Sequence, residues 1–453
     1  MWAAVVCAAT GLATTRATAE AQLVIEADTG KVLFAENAGQ PWYPASVTKL
    51  MTAYVTLRAV REGRITIDKP LVVSSNAAAQ APVKMGFPVG TIVTVDNALK
   101  MLMVKSANDM AVVLAEGVAG SVENFADQMN ANARRLGMTQ STFVNPNGLP
   151  ADDQISSARD LAILARALIR EMPEYDYYWH LPGIRMGKMV QRNYNTLIGR
   201  YPGADGMKTG FICASGFNLV ASATRDDKRL IAVVLGAPSS AARAMKAAQL
   251  LERGFNSKSG LGWLIPSLGT VETLQTVSAA PPNLRDEMCG GHRKRQATED
   301  EDEHIAASPD SPYAVFLSSL RPKTKAAALA EDAKVGEPVL VYTGVKPPAP
   351  GAPQAGWGEA KAKPEKKKAA TAKLTPGGKD QAKDSAAKET PKERSSAKPA
   401  PKEGSKENAK SGGATPAAAT ATDAKPKPKK PAPKTTPAAA TTSATQQQST
   451  QAR

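Results

Sequence analysis

Apolar residues recur in two different periods between residues 22 and 255, predicting strands at both ends of that stretch and helices between them. Leu23-Val24-Ile25 and Val32-Leu33-Phe34 flank a turn at Asp28-Thr29-Gly30, the pattern of a hairpin over residues 22–37. Leu50, Met51, Tyr54, Val55 and Leu57 then fall at helical spacing, and charge arrives only at Arg58, Arg61 and Glu62. A helix is therefore expected with Ser46 in its first turn and its end near Gly63, its entry stiffened by Pro44. Pro82, Pro88 and Gly90 forbid a long helix over 71–94, and Ala98, Leu99, Leu102 and Met103 restore the helical period over 96–104. Lys105-Ser106-Ala107-Asn108-Asp109 interrupts it as a loop before a helix over 109–118. Ser121 caps a helix that carries Phe125, Met129 and Ala133 and stops at Gly137. After a turn at Asn145-Pro146-Asn147-Gly148, Ser157 and Asp160 open another helix in the manner of a capping box.

Strand patterning returns at 208–213, 217–224 and 230–236, an antiparallel meander with one turn at Arg225-Asp226-Asp227-Lys228. A helix over 241–252 packs on it. A sheet made from the two ends of this region, with a helical body inserted between them, is an α+β sandwich. Past Lys258 the pattern fades. Only 271–277 and 335–342 read as strands, and between them stand basic His292-Arg293-Lys294-Arg295 and acidic Glu299-Asp300-Glu301-Asp302-Glu303.

Charge sharpens that division. Residues 346–453 hold 22 Lys+Arg against 9 Asp+Glu, a net +13 of the chain's +15. The basic character therefore belongs to a Lys/Ala/Pro-rich tail that has too few apolar residues to bury a core, and nothing calls for nucleic acid. The tail reads as disordered, either a solvated tether or a segment making weak electrostatic contact with anionic polymers or an anionic membrane. At the other end, an apolar run closing on Ala17-Thr18-Ala19 has the form of a secretory signal peptide, and no later stretch is apolar for long enough to span a membrane. The expected organisation is signal peptide 1–19, catalytic domain 20–257, a linker or degenerate second domain 258–345, and tail 346–453. Of three cysteines, Cys7 lies in the leader. One disulfide between Cys213 and Cys289 is arithmetically possible, but Cys289 stands in a polar stretch and the two read as unpaired thiols.

The candidate chemistry begins with Ser46 and Lys49, three residues apart on one side of a helix. A serine hydroxyl needs a neighbouring base, and a desolvated lysine can supply one. The three histidines offer no alternative. His292 and His304 stand in low-complexity sequence, and His180, in Tyr177-Tyr178-Trp179-His180, accompanies no nucleophile elbow and reads as structural. No Cys/His cluster has metal spacing and no Gly-rich loop follows a strand, so no cofactor is expected.

Ser46-Val47-Thr48-Lys49, then Ser106-Ala107-Asn108 sixty residues on, then Lys208-Thr209-Gly210 a further 102 on, form the ordered triple signature of penicillin-interacting serine enzymes. With Asn145-Pro146-Asn147-Gly148-Leu149, Ser157-Ala158-Arg159-Asp160-Leu161 and Gly216-Phe217-Asn218-Leu219, the chain resembles the serine D-alanyl-D-alanine carboxypeptidases, low-molecular-mass penicillin-binding proteins, from about Leu23 to Phe255. The resemblance implies a β-lactamase/transpeptidase-like sandwich located outside the cytoplasm, acting on peptidoglycan stem peptides and acylated by β-lactams. It implies catalytic roles for Ser46, Lys49 and Ser106, and substrate binding by Asn108, Lys208, Thr209, Gly210 and Phe211. The Ser46 and Phe211 N–H groups would form the oxyanion hole, Gly210 would let substrate lie against the strand, and Arg243 would hold the terminal carboxylate. The related class A β-lactamases need a Glu-x-x-x-Asn pattern between the second and third motifs, and none of Glu116, Glu123, Glu171 or Glu174 has Asn four residues on. A DD-endopeptidase or a β-lactamase of the same fold remains the alternative.

Overall fold

Strands from the two ends of the 20–257 region meet in one sheet. The computed structural model describes residues 20–258, 267–291, 315–316, 319 and 336–349. The expected leader 1–19 and nearly all of the tail lie outside the described residues, which all belong to one unit, Met1–Lys368. In chain order come β1 (Ala21–Glu26), β2 (Val32–Glu36), β3 (Pro41–Trp42), a 3₁₀ turn Ala45–Thr48, α1 (Lys49–Arg61), β4 (Pro70–Val72), α2 (Ser75–Ala79) and β5 (Ile92–Thr94). The helical body continues with α3 (Val95–Val104), α4 (Asn108–Ala119), α5 (Val122–Leu136), β6 (Ser156–Ser157), α6 (Ala158–Glu171) and α7 (Tyr177–His180). Then follow β7 (Gly183–Met186), β8 (Met189–Arg192), β9 (Ala204–Ile212), β10 (Gly216–Arg225), β11 (Lys228–Ala237), α8 (Ser240–Phe255), α9 (Arg285–Cys289) and β12 (Val339–Leu340).

The main sheet runs β2-β1-β11-β10-β9 and is antiparallel throughout, with Ala21 opposite Leu235 and Leu219 opposite Thr209. Both faces are covered, so its central strands are apolar on both sides: β10 and β11 bury nearly every residue. On one face Leu23, Ile25, Ile231 and Val233 join the core of the helical body. On the other, Val24, Leu219 and Val234 pack with Ala244, Ala248 and Leu251 of α8. This is the expected α+β sandwich. Caps set the helix starts where the sequence put them, since Ser121 and Ser157 accept from the N–H groups of Asn124 and Asp160. The Asp226-Asp227 turn takes positive φ at both residues, the backbone a tight hairpin demands.

Two later stretches lie on this body. Residues 267–277 run beside β1 and α6: Thr270 bridges to Lys31, Arg159 donates to Glu272 O (3.0 Å), and Val277 N–H donates to Gly39 O (3.1 Å). Only Val271–Thr273 is regular there, as a 3₁₀ turn where a strand was expected. Near the end of the described chain, β12 pairs parallel with β7, and Gly344 N–H donates to Ile92 O (2.7 Å). A further sequence expectation is overturned: Cys213 and Cys289 are disulfide-bonded, Cα atoms 5.6 Å apart. Buried Leu284 and Met288, which a polar-looking stretch concealed, anchor the second cysteine beside the first. Among the described residues no helix is long and apolar enough to cross a membrane.

Candidate active site

The first motif folds as a 3₁₀ turn leading into α1, not as the first turn of an α-helix. With three residues per turn, side chains at i and i+3 eclipse, which stacks Lys49 directly on Ser46. The Lys49 side chain is fully buried. Its Nζ lies 2.9 Å from Ser46 Oγ, 2.8 Å from Asn108 Oδ1 and 2.5 Å from the Asn147 carbonyl oxygen. Ala45, just before the nucleophile candidate, is held at φ 49°, a conformation that costs a non-glycine residue about 1–2 kcal/mol.

Three other segments close around that turn. Between α3 and α4, Ser106 is also left-handed (φ 59°), and its Oγ is buried with no hydrogen-bond partner among the described residues. Leaving a buried hydroxyl unmade costs about 1–3 kcal/mol, so the group stands ready for a ligand or a moving proton. Asn108 begins α4; its amide accepts from Lys49 and donates to Ala81 O (3.0 Å). The next residue, Asp109, accepts from the Met85 and Gly86 N–H groups (3.0 and 2.8 Å) and so ties loop 82–86 to the site. Burial pushes its carboxyl above the usual aspartate range, outweighing those N–H groups.

The 145–149 turn forms the third segment. Gly148, at φ 80°, packs so closely on the nucleophile turn that a Cβ there would stand 1.9 Å from Ala45 O. Thr52 Oγ donates to Pro146 O (2.5 Å), and Asn147 Nδ2 to Gln80 Oε1 (2.8 Å).

Strand β9 is the fourth segment and, among the described residues, an edge of the main sheet, where an added chain could pair. Lys208 and Thr209 are buried. Lys208 Nζ donates to Thr209 O (2.9 Å), and Thr209 Oγ has no hydrogen-bond partner among the described residues. Gly210 has a second reason to be glycine beside the one expected: its missing side chain faces the nucleophile turn. A Cβ would sit 2.8 Å from Ser46 N and 2.9 Å from Val47 N. From β10, Asn218 Nδ2 donates to Tyr43 O (2.9 Å) and Pro44 O (3.3 Å), pinning the same turn from below.

These walls enclose a cleft of about 370 Å³ lined by Ser46, Ser106, Asn108 and Phe211 of the expected set, with Lys49, Lys208, Thr209 and Gly210 packed beneath or beside it. Arg243 is not among the lining residues. It is buried in α8, where Nη1 donates to Asn218 O (3.3 Å) and Nη2 to Ser240 Oγ (3.3 Å). His180 also stays out of the cleft: its Nε2 lies 3.0 Å from Asp176. Burial works against ionisation of Asp176, but His180 and Arg229 outweigh it and hold its carboxyl at about 2. Sequence reasoning missed Asn147 and Arg285, both of which line the cleft. The Asn-Pro-Asn-Gly turn signalled the former; nothing local signalled the latter. A hydroxyl beside a buried amine, facing an open strand edge, can support acyl transfer from a bound peptide or lactam.

Comparison with known proteins agrees with that chemistry. The peptidase S11 family model, described as D-alanyl-D-alanine carboxypeptidase, matches residues 8–239. D-alanyl-D-alanine carboxypeptidase DacC of Escherichia coli is 40% identical over 245 residues, 52% of this chain and 61% of the relative. DacF of Bacillus subtilis is 35% identical over 242 residues, 52% of this chain and 62% of the relative. The chain thus spans about three fifths of the length of these curated relatives. Penicillin binding protein 5 of Haemophilus influenzae superposes with a TM-score of 0.51 at 36% identity, covering 52% of this chain and 71% of that one.

Proposed function

The chain belongs to the peptidase S11 family, and from that premise we propose that it is a serine D-alanyl-D-alanine carboxypeptidase. It removes the terminal D-alanine of peptidoglycan stem peptides through an acyl-enzyme on Ser46, outside the cytoplasmic membrane, and β-lactams acylate the same serine. The observation that carries this reading is the hydrogen-bonding of Lys49. Burial disfavours an ammonium. A neutral amine has two N–H donors, and Asn108 Oδ1 and the Asn147 carbonyl oxygen stand ready to accept both. Nζ stands 2.9 Å from Ser46 Oγ, within reach of its proton once the amine is neutral.

In the proposed reaction Ser46 Oγ attacks the carbonyl carbon of the penultimate D-alanine while its proton passes to Lys49 Nζ. The N–H groups of Ser46 and Phe211 face the oxygen that gains charge. Collapse breaks the C–N bond, and the departing amine takes the proton from Lys49 by way of the Ser106 hydroxyl, whose lack of a partner suits a relay. Water then hydrolyses the ester and regenerates Ser46. Lys208 and Thr209 receive the terminal carboxylate, and the free edge of β9 pairs with the peptide backbone. Arg243 serves as a positioning residue, acting on the nucleophile turn through Asn218.

Intact mass after benzylpenicillin treatment tests the assignment. The wild-type chain is expected to gain one acyl adduct and Ser46→Ala none, with the variant losing about 1–3 kcal/mol of stability from its hydrogen bond with Lys49. An adduct that persists in Ser46→Ala refutes the role of Ser46.

A further inference from the structure

The cleft carries a cation that the acylation steps do not use. Cys289 is bonded to Cys213, the residue after β9 ends, and Leu284 N–H donates to Ala214 O (3.0 Å). Leu284 and Met288, one helical turn apart, are both buried. Those three attachments turn Arg285 outward, exposed, where it lines the cleft beside Ile212 and Cys213. Among the described residues no aspartate or glutamate lines the same cavity and none pairs with Arg285. Asp286 and Glu287, next along α9, are exposed and take no part in the lining.

The direction of β9 decides what Arg285 meets, and here the inference rests on the carboxypeptidase reading above. Lys208 and Thr209 lie on one side of Phe211, and Ile212 and Cys213 on the other. A peptide with its scissile carbonyl at Ser46 and Phe211 and its terminal carboxylate toward Lys208 must run its upstream residues toward Cys213. Two residues of strand, from Phe211 to Cys213, span about 7 Å, roughly the reach of the residue before the D-alanyl-D-alanine pair with its side chain. We propose that Arg285 is a specificity residue, binding a carboxylate on the donor peptide upstream of the scissile bond, so that the preferred substrates are acidic peptides. The disulfide holds it at that station.

Two N-acetylated tripeptides, glutamyl-D-alanyl-D-alanine and its glutaminyl counterpart, differ there only by charge. D-alanine release by the wild-type chain should favour the acidic peptide by about fivefold in kcat/KM, the upper range for an exposed ion pair, with the difference in KM. Arg285→Gln should bring the ratio to near one, and Arg285→Lys should keep part of the preference. Equal ratios in the wild type and Arg285→Gln overturn the proposal. Benzylpenicillin labelling run alongside separates the two readings. A labelled enzyme with an unchanged ratio overturns the role of Arg285 alone. A wild-type chain that is neither labelled nor able to release D-alanine overturns the carboxypeptidase reading and this inference with it.

Discussion

The floor and the rim of the cleft are held in opposite ways. At the floor, Lys49, Asn108, the Asn147 carbonyl, Gly148, Gly210 and Asn218 converge on one turn through short polar contacts and two backbone approaches that admit no side chain. At the rim, Arg285 depends on two buried side chains, one backbone hydrogen bond and one disulfide. Distributed contacts fix atoms to the fraction of an ångström that proton transfer needs. A single covalent clip fixes only a neighbourhood, which suffices for the charge-reading role proposed for Arg285. Substitutions at the rim are therefore expected to be tolerated better than those at the floor.

The largest expected effect tests the floor's intolerance. Gly210→Ala adds one carbon against Ser46 N and Val47 N. It should slow benzylpenicillin acylation by about 10³-fold, the scale of a lost oxyanion donor, equivalent to about 4 kcal/mol. A rate within tenfold of wild type, read by stopped intact-mass sampling, would mean that the turn can give way. Next comes the rim's clip. Replacing both Cys213 and Cys289 by serine opens a loop with a sequence separation of 76 and should lower unfolding stability by about 3 kcal/mol in denaturant titrations. A loss below about 1 kcal/mol would show that Leu284 and Met288 hold the arm by themselves.

The smallest effect separates floor from rim by pH. Burial raises the Asp109 pKa above its unfolded value. The folded chain thus keeps a proton that the unfolded chain releases. The stability this contributes is fully present below the unfolded pKa and lost as pH rises through the folded one. Asp109→Asn should abolish that part of the slope, so the stability curves of the two proteins should differ in shape above the ordinary aspartate range. Parallel curves would show that Asp109 does not titrate with folding. The disulfide has no proton to exchange, and the rim should contribute no such slope.

Much of this was legible in the chain. Ser121, Ser157 and Gly137 mark helix ends by local chemistry, and 208–237 reads as a meander from strand period alone. Ser46, Lys49, Ser106, Asn108 and Lys208 were singled out because their spacing is itself the signal, and the fold brings the first four around one cleft. What escaped depends on distance. The Cys213–Cys289 pairing is made by burial of Leu284 and Met288 in a stretch whose average is polar, and Arg285 reaches the cleft only as a consequence. Arg243 has a helical position that fits a ligand role, and its contacts with Asn218 and Ser240 are ones that no periodicity foretells. Gly210 was recognised as necessary, but the backbone it accommodates lies some 160 residues away in sequence.

The pinning of Tyr43 and Pro44 by Asn218, across 175 residues, has a bearing on timing. A chain that appears from its amino end carries serine and lysine early, yet the strands that shape their turn come last. The strand holding Ala21 waits in the same way for Leu235. Closing loops of that length precedes any reward from the contacts they bring. Every shorter nascent length therefore carries Ser46 on a turn that its later strands have not yet shaped. On the reading proposed above, a chain still short of residues 204–237 is expected to stay unacylated by β-lactams.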